Sequence, residues 1–205
     1  EAARRERNRL LADGYRADKD WLEGLDVQLA QFGSAVAEAR DRMVSALNEK
    51  LEQSDSQIFA TPILQIADDK LHTEQQLHQM LQQNRSADRA AGRTLRGPHR
   101  ADLTVFHAAK QQPAEKCSTG EQKALLFSII LAHADLIADR RQSRPILLLD
   151  EVAAHLDPQR RAALFDKLAE RGGQVWLTGT EPALFKDIPD SASHFEVSNG
   201  AIKER

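Results

Sequence analysis

Ile146-Leu147-Leu148-Leu149 is a run of four large apolar residues that stops at two carboxylates, Asp150 and Glu151. A short run so uniformly apolar predicts a strand covered on both faces, because a half-exposed strand would alternate. Arg144-Pro145 breaks the preceding pattern, in which Leu125, Leu126, Ile129, Ile130, Ala132, His133 and Leu136 populate a broad helical face. Beyond the carboxylates, Asp157 reads as an N-cap, Pro158 as the first helical residue and Gly172-Gly173 as the stop. Residues 174–178 form a second buried strand, and Asn199-Gly200 turns a terminal hairpin between 195–197 and 201–203. Helix, strand, helix, strand implies parallel crossovers and an α/β layer structure.

The first half reads differently. Leu22, Leu25, Leu29, Phe32, Val36, Ala39 and Met43 alternate steps of three and four, a helical seam that runs on to Leu47 and Leu51. A continuous helix there would extend roughly 45 Å at 1.5 Å per residue, suited to a projecting arm or to a helix packed on its own domain. Gly24 and Gly33 oppose it, each by up to about 1 kcal/mol relative to alanine. The Arg-rich residues 1–11 continue an earlier helix. Pro62 and the apolar residues after it read as a sheet-edge strand, a second helix is expected from Thr73 to about Ala91, and Leu103 to Phe106 returns to a sheet. The reading divides the chain into a helical arm or lobe at 1–97 and an α/β part at 98–205.

With 205 residues, 41% hydrophobic and 29% charged, the chain suits one compact domain or a domain plus an arm. No apolar run approaches the roughly 18 to 20 residues of a membrane span. One cysteine, Cys117, excludes an internal disulfide and a cysteine zinc cage, and with no signal-peptide pattern at the start it points to the cytoplasm. The net charge of −3 means that any nucleic-acid surface must be a local basic patch. A start at Glu1 suggests a piece of something longer.

The carboxylates at the strand end sit where open α/β sheets bind ligands, and they look like a Walker B pair. In that reading Asp150 holds a hydrated Mg²⁺ and Glu151 polarises the water that attacks a γ-phosphate. A strand end that is acidic only because it meets solvent is the plain alternative. Cys117-Ser118-Thr119-Gly120-Glu121-Gln122 precedes the apolar helix, so its free N–H groups and Gly120 suit a phosphate. Ser118 and Glu121 are equally an ordinary capping box that needs no ligand. Thr178-Gly179-Thr180 adds hydroxyls at the end of the second strand. Arg85, Arg89, Arg93 and Arg96 recur at helical spacing and, with His99 and Arg100, form a basic stripe able to follow DNA phosphates or simply to face solvent. Arg140, Arg141 and Arg144 form a second cluster.

The order C-S-T-G-E-Q-K-A-L-L, then L-L-L-D-E-V-A-A-H-L-D, then Q-V-W-L-T-G-T resembles the carboxyl half of an ABC/SMC-type ATPase head. Gly97-Pro98-His99-Arg100, just before the returning strand, resembles the RecF family of DNA replication and repair proteins. The resemblance is strong from Asp88 onward. It implies an α/β fold that is the carboxyl half of a P-loop ATPase head with a helical arm or lobe, with ATP and Mg²⁺ as cofactors. It further implies that Ser118, Gly120 and Glu121 form the signature facing the γ-phosphate on a second protomer, that Asp157 is the D-loop aspartate, and that Thr178 to Thr180 occupy the switch region. Thr119 replaces a glycine of the general signature, and threonines stand where transporters place a sensing histidine. DNA, an ATP-dependent second copy, and RecR and RecO are the implied partners. No glycine here precedes a lysine, so the Walker A loop G-x-x-x-x-G-K-[ST] is absent. The chain alone is therefore expected neither to bind ATP tightly nor to hydrolyse it. The alternatives are another SMC-like DNA ATPase head, or a non-catalytic helical scaffold in which Asp150 and Glu151 would be paired with internal cations.

Overall fold

The computed structural model describes residues 1–13, 18–54, 59–67 and 73–204. These fall into two compact units, one of Glu1–Glu49 and Ile63–Phe106, the other of Lys50–Pro62 and His107–Arg205.

The first unit is mainly helical. Helix α1 (Ala2–Ala12) is followed by α2 (Lys19–Gln53), a single continuous helix of 35 residues despite its two glycines. Strand β1 (Pro62–Ala67) follows, its proline on the sheet edge where the missing N–H costs no ladder bond. The helix expected from Thr73 is two helices, α3 (Glu74–Gln83) and α4 (Arg85–Ala91), divided at Asn84. Thr73 opens α3 with a capping box to Gln76, and Gly92, at φ 65°, closes α4 in the left-handed conformation that glycine adopts without strain. Strand β2 (Asp102–His107) then neighbours β1.

The face of α2 that turns inward follows the apolar seam at its two ends, where Leu22, Leu25, Leu47 and Leu51 are buried, and leaves it in the middle. Phe32 and Val36 are 60% and 44% exposed, whereas Asp26 and Ser34 are buried along with Leu22, Ala30 and Ala37. At Asp26 the cause is a buried charge. Arg7 of α1 has no exposed surface, and its guanidinium donates to Asp26 Oδ1 at 2.5 Å, Asp88 Oδ2 at 2.7 Å, Thr94 Oγ1 at 3.0 Å and the Leu81 carbonyl at 2.9 Å. A buried cation is tolerable only when ion pairs and hydrogen bonds replace its water, so these partners fix how α1, α2 and α4 face one another.

In the second unit, α5 (Thr119–Arg141) follows the short strand β3 (Gln112–Pro113), a 3₁₀ turn and the buried Cys117. Strand β4 (Leu147–Leu149), helix α6 (Pro158–Arg171) and strand β5 (Val175–Leu177) complete a crossover, with β4 and β5 parallel and Leu148 paired with Trp176. Phe127 and Leu131 of α5 pack with Leu149 of β4 and Leu164 and Leu168 of α6 in one core. Leu126, counted in the expected apolar face of α5, is 52% exposed, and Phe127 takes the inward place.

The expectation that β4 and β5 are buried on both faces is corrected. Leu148 is 76% exposed and Trp176 48% exposed, because α5 and α6 cover the Leu149 side, whereas on the other side the Phe195 ring stacks on Trp176 at 6.1 Å and leaves Leu148 open. The terminal hairpin of β6 (Phe195–Ser198) and β7 (Ala201–Glu204) forms as expected, with Asn199 at φ 53° and Gly200 at φ 76° in the turn. Among the described residues no helix is long and apolar enough to cross a membrane.

Candidate functional site

The acidic strand end is built by backbone as much as by side chains. Leu149 is the last buried residue of β4, and its carbonyl accepts the N–H of Thr178 at 3.1 Å, which ties the ends of β4 and β5 together. The Thr178 hydroxyl then donates to Asp150 Oδ1 in a short hydrogen bond and accepts the backbone N–H of Glu151 at 3.2 Å. Glu151 has φ 53°, a left-handed conformation that costs a non-glycine residue about 1 to 3 kcal/mol and persists only where the surroundings enforce it. Thr178 thus fixes the turn that aims both carboxylates. Asp150 is exposed and Glu151 half-buried, and neither is ion-paired among the described residues. A scaffold that had neutralised these charges internally would show the opposite.

A hydrated Mg²⁺ suits this turn. Magnesium is usually held through one or two carboxylates plus phosphate oxygens and water, so the exposed Asp150 is a sufficient protein ligand. Among the described residues no group of three or more His, Cys, Asp or Glu side chains stands close enough to hold a metal ion.

The start of α5 is a second, separately built group. Ser118 is the N-cap, with its Oγ accepting from the Glu121 N–H at 3.4 Å, while Glu121 Oε2 accepts from the Ser118 N–H at 3.0 Å and from its hydroxyl at 2.9 Å. Lys110 reaches the other carboxylate oxygen, Nζ to Oε1 at 2.5 Å. These bonds, the one from Lys110 foremost, hold the Glu121 carboxyl down at about 2. Ser118 and Thr119 are exposed, and a Cβ added at Gly120 would meet nothing within 4 Å. Nothing inside the unit requires glycine there. The capping box is present, then, and it leaves the turn open to an outside group.

Asp157 caps α6, accepting from the Arg160 N–H at 2.9 Å, and lines a cavity of about 650 Å³ with Arg160, Thr61 and His107. Thr180 is exposed, and Gly179 beside it lies so near the Phe185 ring that a Cβ would approach to 2.8 Å. Among the described residues no hydrogen bond joins the Ser118 turn, the Asp150 turn and Asp157, each of which is assembled from its own neighbours. Lys110 was not found from the sequence, because it lies 11 residues before Glu121 in a turn with no local signal.

The arginines do not form one helical stripe. Helix α4 ends at Ala91, so Arg93, Arg96 and Arg100 lie beyond it, all exposed. Arg85 is paired with Glu23 and Asp26, each at 2.6 Å, and Arg89 Nε donates to the Leu11 carbonyl at 3.1 Å.

Residues 12–178 match the family described as "AAA domain, putative AbiEii toxin, Type IV TA system". The chain belongs to this AAA-domain family. Within that frame its similarity to RecF proteins runs over the whole chain. It is 47% identical to the DNA replication and repair protein RecF of Agrobacterium fabrum over 98% of this chain and 56% of that protein. The RecF of Brucella abortus is 48% identical over 98% of this chain and 55% of its own length. The chain therefore spans a little over half the length of these curated relatives. Among solved structures, the recombination mediator protein RecF with ATP, in the RecFOR pathway, superposes with a TM-score of 0.79 at 22% identity, over 100% of this chain and 56% of that one. An Smc head domain from Pyrococcus furiosus matches with a TM-score of 0.50 over 91% of this chain and 41% of that one. The fold of this AAA-domain member is a partial ABC/SMC ATPase head, and its resemblance to RecF is borne out.

Proposed function

We propose that this chain supplies the carboxyl portion of a RecF-like recombination mediator, an ATPase that closes as a dimer on DNA and opens after slow hydrolysis. The observation that carries the reading is the turn at the end of β4, where two carboxylates with no ion-pair partner among the described residues are held by Thr178 through a strained backbone. In this reading Asp150 holds Mg²⁺ bound to the phosphates, Mg²⁺ supplies charge neutralisation of the transferred phosphoryl group, and Glu151 orients water. Ser118 and Gly120 face the γ-phosphate on the second protomer, with Asp157, Thr178 and Thr180 at the same interface. The Walker A loop, absent from this sequence, comes from the remainder of a complete protein, and the chain alone is inactive. The exposed face at Leu148 is where that remainder packs.

DNA contact is assigned to Arg93, Arg96 and Arg100, which stand clear of the helix end. Arg85 and Arg89, engaged within the helical unit, contribute through the shape of that unit. The other partners, RecR and RecO in loading RecA at gaps, rest on the likeness to RecF, and a cytoplasmic setting goes with them.

Glu151→Gln in the complete protein tests the reading. Loss of a positioned general base removes roughly 10² to 10⁴ of rate, so steady-state ATP turnover is expected to fall by at least about a hundredfold while nucleotide still binds. Turnover at the unsubstituted rate would overturn it.

A further inference from the structure

We propose that Lys110 is a charge-compensating positioning residue for the signature turn, one that lets an anionic phosphate approach Ser118 beside an ionised glutamate. The inference rests on the function proposed above and adds a residue that the signature motif does not contain.

The Ser118 turn combines two features that oppose each other. The free N–H groups at the start of α5 favour a phosphate, yet Glu121 puts a full negative charge in the same first turn. Like charges at such separations repel strongly enough to cancel what the helix end offers. Lys110 removes the conflict. Its Nζ lies 2.5 Å from Glu121 Oε1, and Glu121 is the more enclosed of the two, with 19% of its side chain exposed against 48% for Lys110. The carboxylate presented to a ligand is already paired.

The same pairing frees a hydrogen-bond donor. The Ser118 hydroxyl now donates to Glu121 Oε2 at 2.9 Å. To serve a phosphate oxygen it must rotate away, which takes one hydrogen bond from the carboxylate. With Oε1 held by Lys110 and Oε2 held by the Ser118 N–H at 3.0 Å, the carboxylate keeps a partner on each oxygen when the hydroxyl leaves. Without Lys110, both Ser118 donors are committed to Glu121 and the turn stays closed on itself.

The experiment is a set of ATP titrations of dimer formation by the complete protein with Mg²⁺, followed by sedimentation velocity. Lys110→Gln is expected to raise the ATP concentration for half-dimerisation about tenfold, the scale of one uncompensated charge near a phosphate. Lys110→Arg, which keeps the charge, should stay within about twofold of the unsubstituted protein. In an Glu121→Gln background, where there is nothing to compensate, Lys110→Gln should shift the midpoint less than about twofold. A role confined to holding the helix start together would lower melting temperature without this dependence on the partner's charge. An equal shift in both backgrounds, or no shift in either, overturns the proposal and leaves the ATPase reading standing. Absence of any ATP-driven dimer in the unsubstituted protein overturns both.

Discussion

Glu121 shows how far one residue's surroundings set its chemistry. Its carboxyl sits at about 2 against an ordinary 4.5, because Lys110 bonds one oxygen and the Ser118 N–H and hydroxyl bond the other. A carboxyl lowered on folding stabilises the folded state above the ordinary value and loses that contribution as pH falls towards the lowered one. Acid unfolding followed by circular dichroism should therefore be less steep in Glu121→Gln than in the unsubstituted chain between pH 4.5 and about 2. Identical slopes through that window would show that the three bonds do not act on the carboxylate. At this scale the sequence identified the capping pair Ser118 and Glu121 from their three-residue spacing. It carried no trace of Lys110, since a contact made by a folded turn leaves no periodicity.

Helix α2 poses the same question across an element. Both of its glycines oppose helix formation, but only one is explained by packing. A Cβ at Gly24 meets nothing within 4 Å, whereas a Cβ at Gly33 would come within 2.6 Å of Leu77 Cδ2, on a side chain that is 1% exposed. Gly24→Ala should accordingly stabilise the chain by about 0.5 to 1 kcal/mol in urea denaturation. Gly33→Ala should destabilise it by about 1 to 3 kcal/mol, because overpacking a filled site exceeds the gain in helix propensity. Changes of the same sign at both positions would contradict the packing of α3 on α2. The existence and length of α2 were legible from its repeating apolar residues, and so were the capped ends of α6. Its inward face was legible at the ends, through Leu22, Leu25, Leu47 and Leu51, and not in the middle. Asp26 and Ser34 are polar, and what buries Asp26 is Arg7, on another helix 19 residues away. A pattern of apolar residues cannot reveal a face chosen by a buried cation.

On the scale of the whole molecule, the reading depends on two turns that share no hydrogen bond yet follow one logic. One ends a strand with carboxylates that no cation among the described residues neutralises, and the other starts a helix with an exposed serine and a glycine whose Cβ position is open. The α/β class and the order of these motifs could be read from the sequence, because each motif is local and the chain brings them in sequence to strand and helix ends. The exposure of Leu148 could not, because an apolar residue reports only that something should cover it. Sedimentation of the complete protein with saturating Mg²⁺ and ATP, compared with ADP and with Ser118→Arg, bears most directly on this logic. The unsubstituted protein should dimerise with ATP and not with ADP, and Ser118→Arg should remain monomeric in both. A protein that stays monomeric with ATP, or a Ser118→Arg variant that dimerises as readily as the unsubstituted one, would contradict the assignment of these turns to a shared nucleotide.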